Sequence, residues 1–260
     1  MYKKESDKNR DKDGNRNRNR GENRDKDRNR VRDRDIDIDI DRDKGRGRDK
    51  NRAKDRDRSH YFVNEPELDS RPSSFEYSYK DSTFIFKTDK GVFSKDRGDY
   101  GSKILIDAFV TDQEGADLEG LKLLDLGCGY GFVGAIVKRL FPGLKLHMSD
   151  INERAVKYAR ENILLNKLEA ESISISDAFD NLEGPFDLIL LNPPIRSGKE
   201  NIFKLYEGSW QALTSGGSLY VVIQTKQGAS STLARLEKIF GSCDLIGIKS
   251  GYRVFKATRA

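Results

Sequence analysis

Leu123-Leu124-Asp125-Leu126-Gly127-Cys128-Gly129-Tyr130-Gly131 is an apolar run that carries one acidic residue and breaks into three glycines spaced two apart. The run predicts a short buried strand, Leu121–Leu126, and the residues from Gly131 to Phe141 have helical spacing up to Pro142-Gly143. A strand that enters a glycine-rich turn and leaves as a helix presents backbone N–H groups at one point. Glycine allows φ > 0 there and keeps no side chain between backbone and ligand.

Outward from this unit, strands and helices alternate. Leu144–Met148, Ile173–Ile175, Phe186–Leu191 and Ser218–Gln224 read as strands. Asn152–Asn166, Phe203–Leu213 and Ser230–Phe240 read as helices, the second stopped by Ser215-Gly216-Gly217. The first of these should bury Ala155, Tyr158, Ala159, Ile163 and Leu164. Leu245–Ile248 and Tyr252–Lys256 form a closing hairpin. This alternation predicts an α/β fold with a mostly parallel seven-stranded sheet flanked by helices on both faces. Before it, Phe75–Tyr79 and Thr83–Lys87 alternate at period two around Lys80-Asp81-Ser82, an N-terminal β-hairpin addition. A helix from Ser102 to about Val110 follows.

Gly129-Tyr130-Gly131-Phe132-Val133-Gly134 also spells the G-x-G-x-x-G pattern of dinucleotide sites, a weak signal by itself. Asp125, at the strand end, would face a phosphate unfavourably and would suit a cationic amine. Asp150 ends the next strand, the place of a carboxylate that takes both hydroxyls of a ribose. Asp177 follows the third strand and could accept from an adenine amino group. Taken singly, each aspartate reads equally well as a loop or helix-cap residue. Together they suit a ligand with an amine, a ribose and an adenine but no phosphate, as in S-adenosyl-L-methionine.

Asn192-Pro193-Pro194-Ile195 ends the run Phe186–Leu191. Two prolines can neither continue a central strand nor donate to its ladder. The result is a rigid corner at a strand's carboxyl end, where ligands of open α/β sheets bind. Its carbonyls and amide oxygen are acceptors suited to grip an amino group.

Composition divides the chain. Residues 1–58 carry 23 Lys and Arg against 16 Asp and Glu, a net of +7, while the other 202 residues have 25 and 27, a net of −2. Arg, Asp, Lys and Asn repeats, with a short Ile/Asp alternation at 36–40 and too few apolar positions for a core, predict a disordered, charged, low-complexity tail over 1–58 and one domain over 59–260, with order starting near His60-Tyr61-Phe62. The tail either draws RNA close by charge or is an expanded repeat with little role. Cys128 and Cys243 fit neither a metal spacing nor a disulfide framework, so no metal is expected. No signal peptide or membrane-length apolar run is seen, which predicts a cytoplasmic protein with no membrane partner.

These motifs resemble those of class I S-adenosylmethionine-dependent methyltransferases, in particular the small-domain group that includes the 16S rRNA guanine-N2 methyltransferases. The resemblance is carried by Gly91-Val92-Phe93-Ser94, Asp99-Tyr100-Gly101-Ser102, the Leu124–Gly131 segment, Asp150-Ile151-Asn152-Glu153-Arg154-Ala155 and Asn192-Pro193-Pro194-Ile195-Arg196, and it covers about residues 60–257. It implies a Rossmann-like domain in which Asp125, Gly127, Gly129 and Gly131 hold the methionine part of the cofactor and Asp150 the ribose. Asp177 matches by position alone. The Asn-Pro-Pro corner is typical of enzymes that methylate amino nitrogens, so Asn192 and Pro193 would be catalytic. Pro194, Ile195, Arg196 and Lys199 would meet substrate. The fourth place of the corner is often an aromatic that stacks on an extruded base; here it is Ile195. Fuller ribosomal relatives carry two tandem domains, and this chain has room for one.

The expected activity is methyl transfer to an exocyclic amine, guanine N2 of small-subunit rRNA, free or in its assembling particle. The Asn192 amide oxygen and the Pro193 carbonyl would accept its two N–H groups. An adenine or protein-glutamine N-methyltransferase would use the same corner, and an RNA-binding module on a methyltransferase fold is the non-enzymatic alternative. Lys80, Lys87, Lys90, Lys95, Arg97, Arg196 and Lys199 could supply a basic face. The pattern selects no oligomeric state.

Overall fold

The computed structural model describes residues 71–89, Val92 and 99–260. The predicted tail 1–58, the start of order at His60-Tyr61-Phe62, and Lys90, Gly91, Phe93, Ser94, Lys95 and Arg97 lie outside the described residues.

Strands β1 (Ser73–Tyr79) and β2 (Ser82–Thr88) pair antiparallel as the predicted hairpin. Then come α1 (Tyr100–Asp112), β3 (Lys122–Leu126), α2 (Phe132–Leu140), β4 (Lys145–Asp150), α3 (Glu153–Leu165), β5 (Ser172–Ile175) and β6 (Phe186–Leu191). The chain closes with α4 (Lys199–Ala212), β7 (Leu213–Gln224), α5 (Ala229–Phe240), β8 (Asp244–Lys249) and β9 (Tyr252–Thr258). The large sheet has the order β5-β4-β3-β6-β7-β9-β8. The first five strands in that order are parallel, and β9 is antiparallel to both β7 and β8. From β3 the chain moves outward to β5, then returns to the other side of β3 as β6. The crevice between the carboxyl ends of β3 and β6 is therefore the topological switch point.

Side chains along the central strands alternate between two buried clusters, as the two-residue strand period requires. Leu123, Leu188, Leu190, Tyr220, Val222 and Val254 pack with α1, α2, α3 and the hairpin. Leu124, Leu126, Ile189, Leu191, Leu219, Val221 and Phe255 pack with α4 and α5. The same parity puts Asp125, Asn192 and Tyr252 toward the α1–α3 side, at or beyond the strands' carboxyl ends.

The hairpin is fastened to this side in two ways. Phe86 meets Tyr130 and Phe132 at centroid distances of 5.8 and 5.2 Å. In addition, two asparagines of the α3 segment pair with the edge of β2 as a neighbouring strand would. Asn166 accepts from the Ile85 N–H at 2.9 Å and donates to the Ile85 carbonyl at 2.8 Å. Asn162 treats Lys87 alike, at 2.8 and 2.9 Å, and also donates to the Tyr130 carbonyl at 2.8 Å. The geometry matches because four helical residues rise about 6 Å and two strand residues about 6.8 Å.

Three local expectations are corrected. Leu164, placed on the buried side of α3, is 75% exposed, while Val156 and Asn162 are buried. One helical step past Ile163 turns a side chain away from the sheet. Helix α4 begins at Lys199, ahead of the expected Phe203, and Ser215-Gly216-Gly217 does not stop it. Leu213 already pairs with the buried Phe186, and residues 214–217 form the irregularity before Ser218 joins Leu188.

Candidate active site

Asp125 is buried in β3, and its Oδ2 accepts the backbone N–H of Gly134 at 2.8 Å. A Cβ at Gly134 would sit 3.1 Å from that oxygen, so glycine lets the first turn of α2 close on the carboxyl group. Burial pushes the Asp125 pKa up to about 7, against the pull of the Gly134 N–H, and the charge of Asp150 adds to the rise. No cationic side chain among the described residues lies within ion-pair distance of it. The site thus holds a carboxyl group that a cationic ligand would ionise.

Next to it, the turn after β3 runs through positive φ at Gly127 (71°), Gly129 (56°) and Gly131 (86°). Asp150 at the end of β4 holds this turn: Oδ2 accepts the Gly129 N–H at 2.8 Å, and Oδ1 accepts the Asn152 N–H at 2.9 Å. Burial raises the Asp150 pKa, although these backbone donors act the other way. Each of its oxygens still has acceptor capacity for a hydroxyl.

Asn192 follows β6 and reaches α1. Its Nδ2 donates to Asp99 Oδ2 at 2.7 Å and to Ser102 Oγ at 3.0 Å. Asp99 also caps α1, accepting the Ser102 N–H at 3.1 Å. Because a carboxylate only accepts, the amide must face it with nitrogen, which leaves Oδ1 as the acceptor for a ligand. Asp125, Gly127, Gly129, Asp99 and Asn192 line one cavity, so the corner and the glycine turn share a site. Cys128 is also in that wall, and burial raises its thiol pKa well above the usual value, keeping it protonated at neutral pH.

The remaining predicted residues are spread around this centre. Pro193 is buried and Pro194 half-buried. Ile195 is half-buried on a single 3-10 turn, Ile195–Ser197, and packs against the α4–α5 cluster. Arg196 and Lys199 are exposed just beyond it, whereas Asp177 is exposed after β5 and outside the cavity wall. Of the expected basic face, Lys80 is exposed in the hairpin turn and Lys87 pairs with Glu161 at 3.4 Å. Among the described residues no cluster of three or more His, Cys, Asp or Glu forms a metal site, and no helix is long and apolar enough to cross a membrane.

Asp99 and Ser102 were visible in the sequence only as parts of a tetrapeptide, with no role. Their effect depends on Asn192, 93 residues further on from Asp99.

The sequence model of the methyltransferase small domain matches residues 83–256. The uncharacterized protein YbxB of Bacillus subtilis is 39% identical over 202 residues, which is 77% of this chain and 98% of that protein. Ribosomal RNA small subunit methyltransferase C of Serratia proteamaculans is 32% identical over 187 residues, 70% of this chain. The match spans 51% of that methyltransferase, about half its length. Among solved structures, a T. thermophilus 16S rRNA N2 methyltransferase in complex with AdoMet and guanosine superposes with a TM-score of 0.67 at 24% identity. That match covers 75% of this chain and 52% of the other. A ribosomal protein L11 methylase of Lactobacillus delbrueckii superposes at 0.52 with 19% identity, over 63% and 81% of the two chains. The fold is thus common to proteins named for RNA and for protein substrates.

Proposed function

The chain belongs to the methyltransferase small-domain family, and from that premise we propose that it transfers a methyl group to an exocyclic amino nitrogen, guanine N2 of small-subunit rRNA. The observation that carries this reading is the orientation of the Asn192 amide. With both amide hydrogens committed to Asp99 and Ser102, Oδ1 is left as the acceptor of a residue that lines the same cavity as Asp125 and the glycine turn.

S-adenosylmethionine, when bound, supplies a methyl group on a positively charged sulfur together with a cationic amine. The residues present fit it. Asp125 would hold the amine, since its buried carboxyl group gains its charge most readily beside a cation. The turn at Gly127 and Gly129 leaves open space where a side chain would stand, and Asp150 would take the ribose hydroxyls. Asp177, which follows β5, would accept from the adenine amino group.

Asn192 Oδ1 and the Pro193 carbonyl accept the two N–H groups of the substrate amine. Held this way, the nitrogen is drawn out of conjugation with its ring and its lone pair is aimed by the protein, so orientation and fixed dipoles lower the barrier. Pro194, Ile195, Arg196 and Lys199 continue from the corner toward the rest of the substrate, the two cations suited to phosphate. A base in paired RNA would have to be extruded to reach this depth. The relatives named as rRNA methyltransferases favour RNA over a glutamine side chain.

The test is transfer of labelled methyl to unmodified small-subunit rRNA, free and in its particle, with release-factor protein alongside. Label at guanine N2 is expected. Label on glutamine or adenine alone, or none from a protein that binds the donor, would overturn the assignment.

A further inference from the structure

An amine-gripping corner fixes one edge of a planar base and leaves its faces uncovered. Position 195 does not cover them, because Ile195 is turned into the α4–α5 cluster. A different aromatic pair stands near Asn192 on the α1–α3 side of the sheet. Tyr252 is the first residue of β9, and since β9 is antiparallel to β7 it lies at the carboxyl edge, opposite Gln224. Leu191 pairs with Val221, so Tyr252 stands further out along the strand direction than Asn192 and on the same face of the sheet. Tyr100, 42% exposed at the start of α1, meets Tyr252 edge-on at 5.8 Å and donates from its hydroxyl to Ser250 at 2.8 Å.

Gly101 links this pair to the amide. A Cβ there would be 3.2 Å from Tyr252 Cε1, 3.5 Å from Asn192 Nδ2 and 2.9 Å from Asp99 Oδ2. Glycine is what lets a ring edge and the amide approach the same point.

Resting on the amino-transfer reading above, we propose that Tyr252, braced by Tyr100, is the stacking surface for the extruded purine whose amine Asn192 holds. It takes the part that an aromatic at position 195 would otherwise play. Aromatic faces bind bases regardless of their hydrogen-bonding edge, so the pair supplies affinity while Asn192 and Pro193 supply position.

The test uses guanosine on protein saturated with S-adenosylhomocysteine, followed by NMR titration, beside steady-state transfer to unmodified rRNA. Tyr252→Leu keeps apolar bulk without a π-face and should weaken guanosine and raise the rRNA KM by about tenfold. Tyr252→Phe should stay within about twofold, and S-adenosylhomocysteine affinity should be unchanged in both. If the wild type binds guanosine and methylates rRNA but Tyr252→Leu does so equally, the stacking role is overturned and the amino-transfer reading stands. If the wild type binds the cofactor product but neither binds guanosine nor methylates guanine, that reading falls and this inference with it.

Discussion

Asp99 determines which way round the Asn192 amide stands: Oδ2 of the one lies 2.7 Å from Nδ2 of the other, across 93 residues of sequence. A neutral amide at 99 could still cap α1, since asparagine is as good an N-cap as aspartate, but it could offer Asn192 either a donor or an acceptor. Asp99→Asn should therefore leave the melting temperature within about 2 °C while kcat falls about tenfold and donor affinity hardly moves. Thermal melts and steady-state kinetics check this, and an unchanged kcat would show that the contact does not orient the amide.

Asp125 links stability to donor binding through pH. Its folded pKa, raised to about 7 mainly by burial, lies above the ordinary aspartate value of about 3.9. Below the lower value both folded and unfolded chains hold the proton and there is no penalty. As pH rises through the window, the unfolded chain releases its proton first, and stability is lost until about pH 7. Asp125→Asn should accordingly stabilise the free protein at about pH 8, by up to about 4 kcal/mol, and change little at about pH 3.5. Donor affinity should fall in the same variant, and the decline expected of the wild type as pH drops below about 7 should be absent from it. Urea unfolding and calorimetry at several pH values measure both.

Asn162 is fully buried and serves three backbone groups at once, the N–H and carbonyl of Lys87 and the carbonyl of Tyr130. Asn162→Ala leaves all three without this partner and should cost about 2–4 kcal/mol in denaturant unfolding. Because Tyr130 belongs to the glycine turn, donor affinity should fall as well. Asn166→Ala removes the Ile85 contacts without touching that turn, so it should lower stability and spare the donor. Equal loss of donor affinity in both variants would mean the hairpin acts as a whole, not through Tyr130.

The α/β alternation, the N-terminal hairpin and the antiparallel close were legible because each follows from a local period. So was the juxtaposition of Asp125 and Asp150, since parallel neighbours bring their strand ends to one edge. Contacts made by polar groups between distant segments were not. Asn162 and Asn166 stand one turn apart on the buried side of α3, a signal in retrospect, but an asparagine on an apolar stripe does not say which backbone it serves. Leu164 reads as core by type, and only the helix phase turns it out. Likewise Tyr252 reads as one alternating residue of a closing strand until the sheet order puts that strand beside β7.

The central claim is that Asn192 holds the substrate amine and not the donor. Its most direct test is a paired measurement on Asn192→Ala: methyl transfer to unmodified small-subunit rRNA, and donor affinity by calorimetry. The account predicts a fall in transfer of about 10²–10³-fold or more, with the donor Kd within about threefold of wild type. Transfer near the wild-type rate, with the donor bound equally well, would contradict it.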